Sequence, residues 1–115
     1  MATLTTQNIT RAGVIPTYAA AAGGGDRFTP GNTTFLHVKN GSGGALTVTV
    51  AATKVPIANM TTTNVVTSVT TAAAGWLIGP FPPEQFNATD GSGLADITYS
   101  GVTSLTVAVL QFNQP

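Results

Sequence analysis

The chain has 115 residues and no cysteine, a length that suits one domain able to bury a core without disulfide or metal support. Cysteine-ligated zinc, iron–sulfur clusters and disulfides are therefore excluded. Charged residues make up 7% of the chain and the formal net charge is zero, which removes the basic footprint of a nucleic-acid binder and the polybasic patch of a membrane binder.

Residues 1–32 differ from the rest. They hold Gly13, Pro16, four alanines from Ala19 to Ala22, three glycines from Gly23 to Gly25, and Pro30-Gly31. The alanines could start a helix, but the glycines stop it at once. This stretch reads as an extended arm with a short strand over 14–18 and then a flexible turn.

From Thr33 onward, β-branched residues fill the intervals between regularly spaced turn signals, the pattern of a sandwich or barrel. Residues 33–39 read as a strand ending at Asn40-Gly41-Ser42-Gly43-Gly44. Residues 45–51 alternate cleanly, with Leu46, Val48 and Val50 on one face and Thr47 and Thr49 on the other. The two runs read as a hairpin closed by the glycine-rich loop.

Residues 54–63 are expected to be a connection, because Pro56 argues against a regular central strand. A Val/Thr-rich strand follows over 64–70, then a turn at 72–75. A short apolar strand over 76–79 is stopped by Pro80, Pro82 and Pro83. Residues 84–87 suit one helical turn or a short strand. Asp90-Gly91-Ser92-Gly93 is a turn. Residues 94–100 and 103–112 read as a final hairpin across Gly101.

The expected fold is all-β: a single antiparallel β-sandwich over 33–115, jelly-roll or immunoglobulin-like, with an extended N-terminal arm over 1–32. Its expected core is Leu36, Val38, Leu46, Val48, Val50, Val65, Val69, Trp76, Ile78, Ile97, Leu105, Val107 and Val109.

Candidate chemistry is sparse. His37 is the only histidine, and it shares a strand face with Phe35 and Lys39, so a partly exposed strand histidine fits better than a general base. Asp26, Glu84, Asp90 and Asp96 sit at no metal-ligand spacing, and no metal or cofactor is expected. The run from Asn87 to Gly93 lacks the alternating acids and closing glutamate of a calcium loop. Gly23-Gly24-Gly25-Asp26 lacks the strand–loop–helix context of a phosphate loop. The chain reads as a non-enzyme.

Trp76 with Tyr18 and Tyr99 could form a sugar-stacking platform, although a tryptophan beside Leu77 and Ile78 suits a core. This keeps a carbohydrate-binding or adhesin-like β-domain as an alternative. Arg11 and Arg27 fall in the irregular N-terminal region, where arginine suits an interface.

The surface must be mostly Thr, Ser, Asn, Gln and Gly. Low charge lessens repulsion between molecules and favours association. Much of this surface is therefore expected to be committed to other subunits. The start of the chain has no basic segment followed by an apolar one, and no apolar run approaches the roughly 20 residues of a membrane span. Residence in a cytoplasm, or in a particle assembled there, is expected.

Several segments together resemble a known family. They are Thr10-Arg11-Ala12-Gly13-Val14-Ile15-Pro16-Thr17-Tyr18, Gly25-Asp26-Arg27-Phe28, Thr34-Phe35-Leu36-His37-Val38-Lys39-Asn40, Gly79-Pro80-Phe81-Pro82-Pro83, and the close from Ile97 to Val109. The chain resembles the small capsid decoration, or cement, proteins encoded among the head genes of tailed bacteriophages. The resemblance implies a β-sandwich on the outer surface of an icosahedral shell that ties capsomers together. The implied partners are the major capsid protein and, as an option, further copies of the chain, up to a trimer. Neither nucleic acid nor membrane is implied. The arm is then expected to contact neighbours through Arg11, Tyr18, Arg27 and Phe28.

Overall fold

The computed structural model describes residues 2–52, 63–71, 75–88 and 91–112. Its strands are β1 Ala2–Thr3, β2 Thr6–Ile9, β3 Ala19–Ala20, β4 Asp26–Phe28, β5 Thr34–Asn40, β6 Leu46–Val50, β7 Val65–Val69, β8 Trp76–Ile78, β9 Ala95–Tyr99 and β10 Leu105–Phe112. One helical turn, α1 Pro83–Phe86, lies between β8 and β9. The first sheet runs β1-β4-β9-β6-β7, and the second runs β2-β10-β5-β8 with β3 also on β10.

Period-two patterning builds both sheets. In β5, Thr34, Leu36, Val38 and Asn40 turn inward while Phe35, His37 and Lys39 turn outward. Val48 and Val50 of β6, Val69 of β7, Ile97 of β9, and Leu105, Val107 and Val109 of β10 meet them between the sheets. Leu46, Val65 and Trp76 sit at the margin of this core. Burying each aliphatic side chain contributes about 1.5–3 kcal/mol.

One region of the core comes from irregular chain. Phe81 packs edge-on against both Phe28 and Phe86, with ring centroids 5.2 Å apart in each pair. Pro83 opens α1, where its missing N–H costs nothing, and the turn buries Phe86.

The architecture is an all-β pair of packed sheets, and it departs from expectation in three ways. The sheets are mixed and not purely antiparallel, because β1 pairs in parallel with β4 and β2 in parallel with β10. The N-terminal 32 residues are not a free arm, since β1 and β4 join the first sheet while β2 and β3 join the second. The two expected hairpins are crossings, because β5 and β6 lie in different sheets, as do β9 and β10. Most of the expected connection over 54–63, the turn at 72–74 and Asp90 lie outside the described residues.

Each departure has a local cause. Asn40 is buried, and its Nδ2 donates to the carbonyls of Gly44 and Val69, both at 2.8 Å. Its Oδ1 accepts from Ser42 N at 2.9 Å and Ser42 Oγ at 2.7 Å. The amide therefore curls the glycine-rich loop and ties the end of β5 to β7 across the sandwich. At the other crossing, Ser100 N donates to Thr47 O at 2.9 Å and Ser100 Oγ accepts from Thr47 N at 2.8 Å. These bonds hold the end of β9 to β6 before the chain leaves for β10.

In the N-terminal segment, the Gln7 side-chain amide replaces a ladder position. Its Nε2 donates to Thr17 O and its Oε1 accepts from Thr17 N, both at 2.8 Å. Residues 14–18 are thus held beside β2 by a side chain, and the short strand falls on Ala19–Ala20 instead.

Replacing Asn40 with alanine strands the Val69 carbonyl and the Ser42 amide. The expected loss is about 2–3 kcal/mol, read by urea denaturation as a lower midpoint at unchanged slope.

Candidate functional site

The two outer faces of the sandwich differ in chemistry. On the first sheet, Thr47 and Thr49 of β6, Ser68 of β7 and Thr98 of β9 point outward, as alternation requires. Arg27 of β4 and Asp96 of β9 are register partners on that face and form an ion pair at 2.6 Å. Val66 is the exposed aliphatic there.

The outer face of the second sheet carries an apolar patch at one end and the polar side chains of His37 and Lys39 at the other. The register sets His37 opposite both Ala108 and Leu77, Phe35 opposite Leu110, and Phe112 opposite Ile9. Ala108 and Leu110 are buried although they point away from the core. Leu77 is 67% exposed and Phe112 is 46% exposed. Between them lies an open groove of about 260 Å³, lined by Phe35, Leu77, Ile78, Pro80 and Phe112 with Thr33 at its edge.

Glycine makes this groove possible. Gly79 has φ +146°, and a Cβ there would stand 2.8 Å from the Cβ of Phe35. The Gly79–Pro80 peptide bond is cis.

Further along the same face, three polar side chains cluster. The Tyr18 hydroxyl hydrogen-bonds with His37 Nδ1 at 2.5 Å. The Lys39 ammonium lies 4.5 Å from the centroid of the Tyr18 ring, within cation–π range. A second hollow of about 410 Å³ opens where β1 hands over to β2, lined in part by Leu4, Thr5, Gln7, Tyr18 and Ala108.

The four expected contact residues do not share a surface. Arg11 is exposed in the turn after β2, which is closed by Gly13 N donating to Thr10 O at 3.0 Å. Tyr18 lies on the outer face of the second sheet. Arg27 lies on the opposite face, engaged with Asp96. Phe28 is fully buried, so its role as a subunit contact is corrected: alternation in β4 turns residues 26 and 28 into the core and residue 27 outward.

The proposed sugar-stacking trio is also dispersed. Trp76 pairs in register with the inward-facing Val38, and its Nε1 donates to Thr70 O at 3.3 Å. Tyr99 turns inward toward Asp26, away from Tyr18.

His37 is half-buried on the face it shares with Phe35 and Lys39, as the strand pattern implied. Among the described residues, no group of three His, Cys, Asp or Glu side chains could hold a metal ion. No helix among them is long and apolar enough to cross a membrane.

The groove residues Leu77 and Phe112 were missed by sequence reasoning. A signal was present in β10, where Val107, Ala108, Val109 and Leu110 are all apolar, and a strand apolar on both faces needs cover on both.

The most unusual charge is Asp26, which is fully buried. Its Oδ2 accepts from the Tyr99 hydroxyl at 2.8 Å and from Ala22 N at 3.2 Å. Burial pushes the Tyr99 phenol far above its ordinary value, helped by the hydrogen bond to Asp26 and by that residue's negative charge. The folded state therefore holds the phenolic proton more tightly than the unfolded chain, whose tyrosines titrate near about 10. The resulting stability is complete below that pH and is lost above it.

Comparison with known proteins returned no matching family model, curated protein or solved structure.

Tyr99→Phe is expected to cost roughly 1–3 kcal/mol at neutral pH by removing a donor from a buried carboxylate. It should also weaken the loss of stability on raising the pH above 10. Thermal melts of the two proteins across that range measure both effects.

Proposed function

We propose that this chain is a structural virion protein, a capsid decoration or cement protein bound to the outer surface of a tailed-phage head and assembled there in the host cytoplasm. Its partner is the major capsid protein, and it acts without catalysis, cofactor, nucleic acid or membrane.

The observation that carries this reading is the difference between the two outer faces. A threonine-rich face suits water, whereas the face with Leu77 and Phe112 exposed leaves apolar area that other protein surfaces are suited to cover. The near absence of charge agrees with a surface meant for close packing among many copies. A cement protein stabilises its shell by binding only the assembled state, so its binding free energy adds to the shell's own stability by linkage. Repetition over a symmetric lattice lets modest contacts accumulate.

The role first given to the whole arm narrows to the 10–17 loop. Strands β1 to β4 hold much of the N-terminal segment in the two sheets, and residues 10–15, with Arg11, are its longest exposed stretch outside them. The carbohydrate-binding alternative is disfavoured by the dispersal of Trp76, Tyr18 and Tyr99.

Binding to purified shells that lack the chain tests the proposal. Wild type should bind at high, regular copy number. Leu77→Asp should lose at least tenfold in affinity, and Thr49→Asp on the opposite face should bind as wild type. Absence of shell binding by wild type, or equal binding by Leu77→Asp, would refute the assignment.

A further inference from the structure

We propose that Asn40 is a latent self-modification site. The folded loop guards its side-chain amide, and opening of the loop lets Gly41 convert that amide to aspartate or isoaspartate, after which the loop no longer closes as before.

The chemistry is local. Asn40-Gly41 is the only Asn-Gly step in the chain. Glycine has no side chain to crowd its own nitrogen, so this step suits ring closure better than any other asparagine here. The Gly41 N–H gives its proton to water or hydroxide, and the nitrogen attacks Asn40 Cγ. A new N–C bond forms, the Cγ–Nδ2 bond breaks, and Nδ2 takes up a proton from water and leaves as ammonia. Water then opens the resulting succinimide at either carbonyl, giving aspartate or isoaspartate. The sum consumes water and releases ammonia, with no change of oxidation state.

The folded state blocks the first step by geometry, not by keeping water out, because Gly41 is itself exposed. Gly41 N donates to Ser104 O at 2.9 Å, which occupies the proton that must leave. Asn40 pairs with Leu105 in the β5–β10 ladder. Ring closure needs Gly41 N to eclipse Asn40 Cβ about the Cα–C bond, and the extended backbone of a strand holds the two apart. The carboxamide cannot swing to meet the nitrogen, since the side chain is buried and fixed through both Nδ2 and Oδ1.

One feature of the loop opposes this protection. Ser42 N and Ser42 Oγ both donate to Oδ1, the oxygen on which negative charge grows during attack, and paired donors there stabilise such a charge. Position decides between the two effects, because donors help only once the reacting atoms are in near-attack contact. The native rate is therefore the rate of the open chain multiplied by the fraction of time the loop is open.

The product cannot restore the link. A carboxylate has no hydrogen to donate to Gly44 O or Val69 O, and it sets oxygen against oxygen at a site only 3% exposed. Isoaspartate also adds a methylene to the backbone, which displaces Gly41 from Ser104. Thr71 Oγ1, donating to Ser42 O at 2.6 Å, braces the loop from the chain beyond β7 and acts as an outer latch. Each opening thus risks a covalent, one-way loss of the tie between β5 and β7.

The test is incubation of the full-length chain in mildly alkaline buffer, with and without denaturing urea. Mass-spectrometric peptide mapping locates the amide-to-acid change, and enzymatic methylation detects isoaspartate. In urea, Asn40 should convert ahead of every other asparagine. In native buffer its conversion should be at least about a hundredfold slower. Ser42→Ala and Thr71→Val should each raise the native rate about three- to tenfold, as expected for one or two lost hydrogen bonds, and leave the rate in urea unchanged. Circular dichroism verifies each fold, and Thr71→Val, which alters an exposed residue, carries the test if Ser42→Ala does not fold.

Equal rates with and without urea would overturn the proposal, as would another asparagine converting first in urea. A native rate that falls in Ser42→Ala also overturns it, because the Ser42 donors would then activate Cγ and not guard it. The one-way claim has its own readout: Asn40→Asp, which is one of the two products, should unfold at a lower urea midpoint than wild type. An unchanged midpoint contradicts that claim.

Discussion

The pairing of β10 is the constraint on which the rest of the structure depends. Its register with β5 runs unbroken from Leu105 opposite Asn40 to Gln111 opposite Thr34. On its other edge, β2 pairs in parallel from Thr6 opposite Val109 to Ile9 opposite Phe112, and β3 pairs beside Thr106 and Val107. The last strand thereby captures the first segment of the chain, which otherwise has little core of its own. Val107 and Val109 fill the space between the sheets, while Ala108 and Leu110 are buried on the outer side beneath neighbouring side chains. Few strands in a small sandwich need apolar residues at consecutive positions, and this one does because both its faces are covered.

The same pairing makes the candidate interface. By fixing Phe112 beside Ile9 and Leu110 beside Phe35, it lines apolar side chains across three strands of one outer face. β8 adds Leu77 at the side, and Gly79 leaves the space that Phe35 needs. The opposite face is built from the same β-branched alphabet with threonine in place of valine and leucine, and its Arg27–Asp96 pair lies on the surface. A protein that works by covering and being covered needs only such an asymmetry. In the proposed role, its contribution to a particle would come from many weak contacts made at once.

Strand positions were legible where alternation or an apolar run marked them. Residues 34–40, 46–50 and 95–99 show period two, 105–112 is a run apolar on both faces, and the structure places strands on all four. Connectivity was not legible, because Asn40-Gly41-Ser42-Gly43-Gly44 suits a hairpin as well as a crossing. The choice was made by the buried Asn40 amide reaching Val69, a partner 29 residues away. Phe28, Phe81 and Phe86 have no periodicity to place them, since glycine and proline lie close by, and so the sequence alone does not distinguish the buried Phe28 from a surface contact. The groove was hidden for a related reason: Phe35, Leu77 and Phe112 come from three separate strands, and only the sheet order brings them together.

The central claim is that the outer face of the second sheet is turned toward other protein in a phage particle. Cryo-electron microscopy of the intact particle, at a resolution that orients the sandwich, tests it most directly. The account predicts density for this chain repeated over the outer shell, with Leu77 and Phe112 covered by protein and the Thr47–Thr49 face open to solvent. Density only at one vertex or on the tail would contradict it, as would a sandwich seated through its threonine-rich face with Leu77 and Phe112 in water.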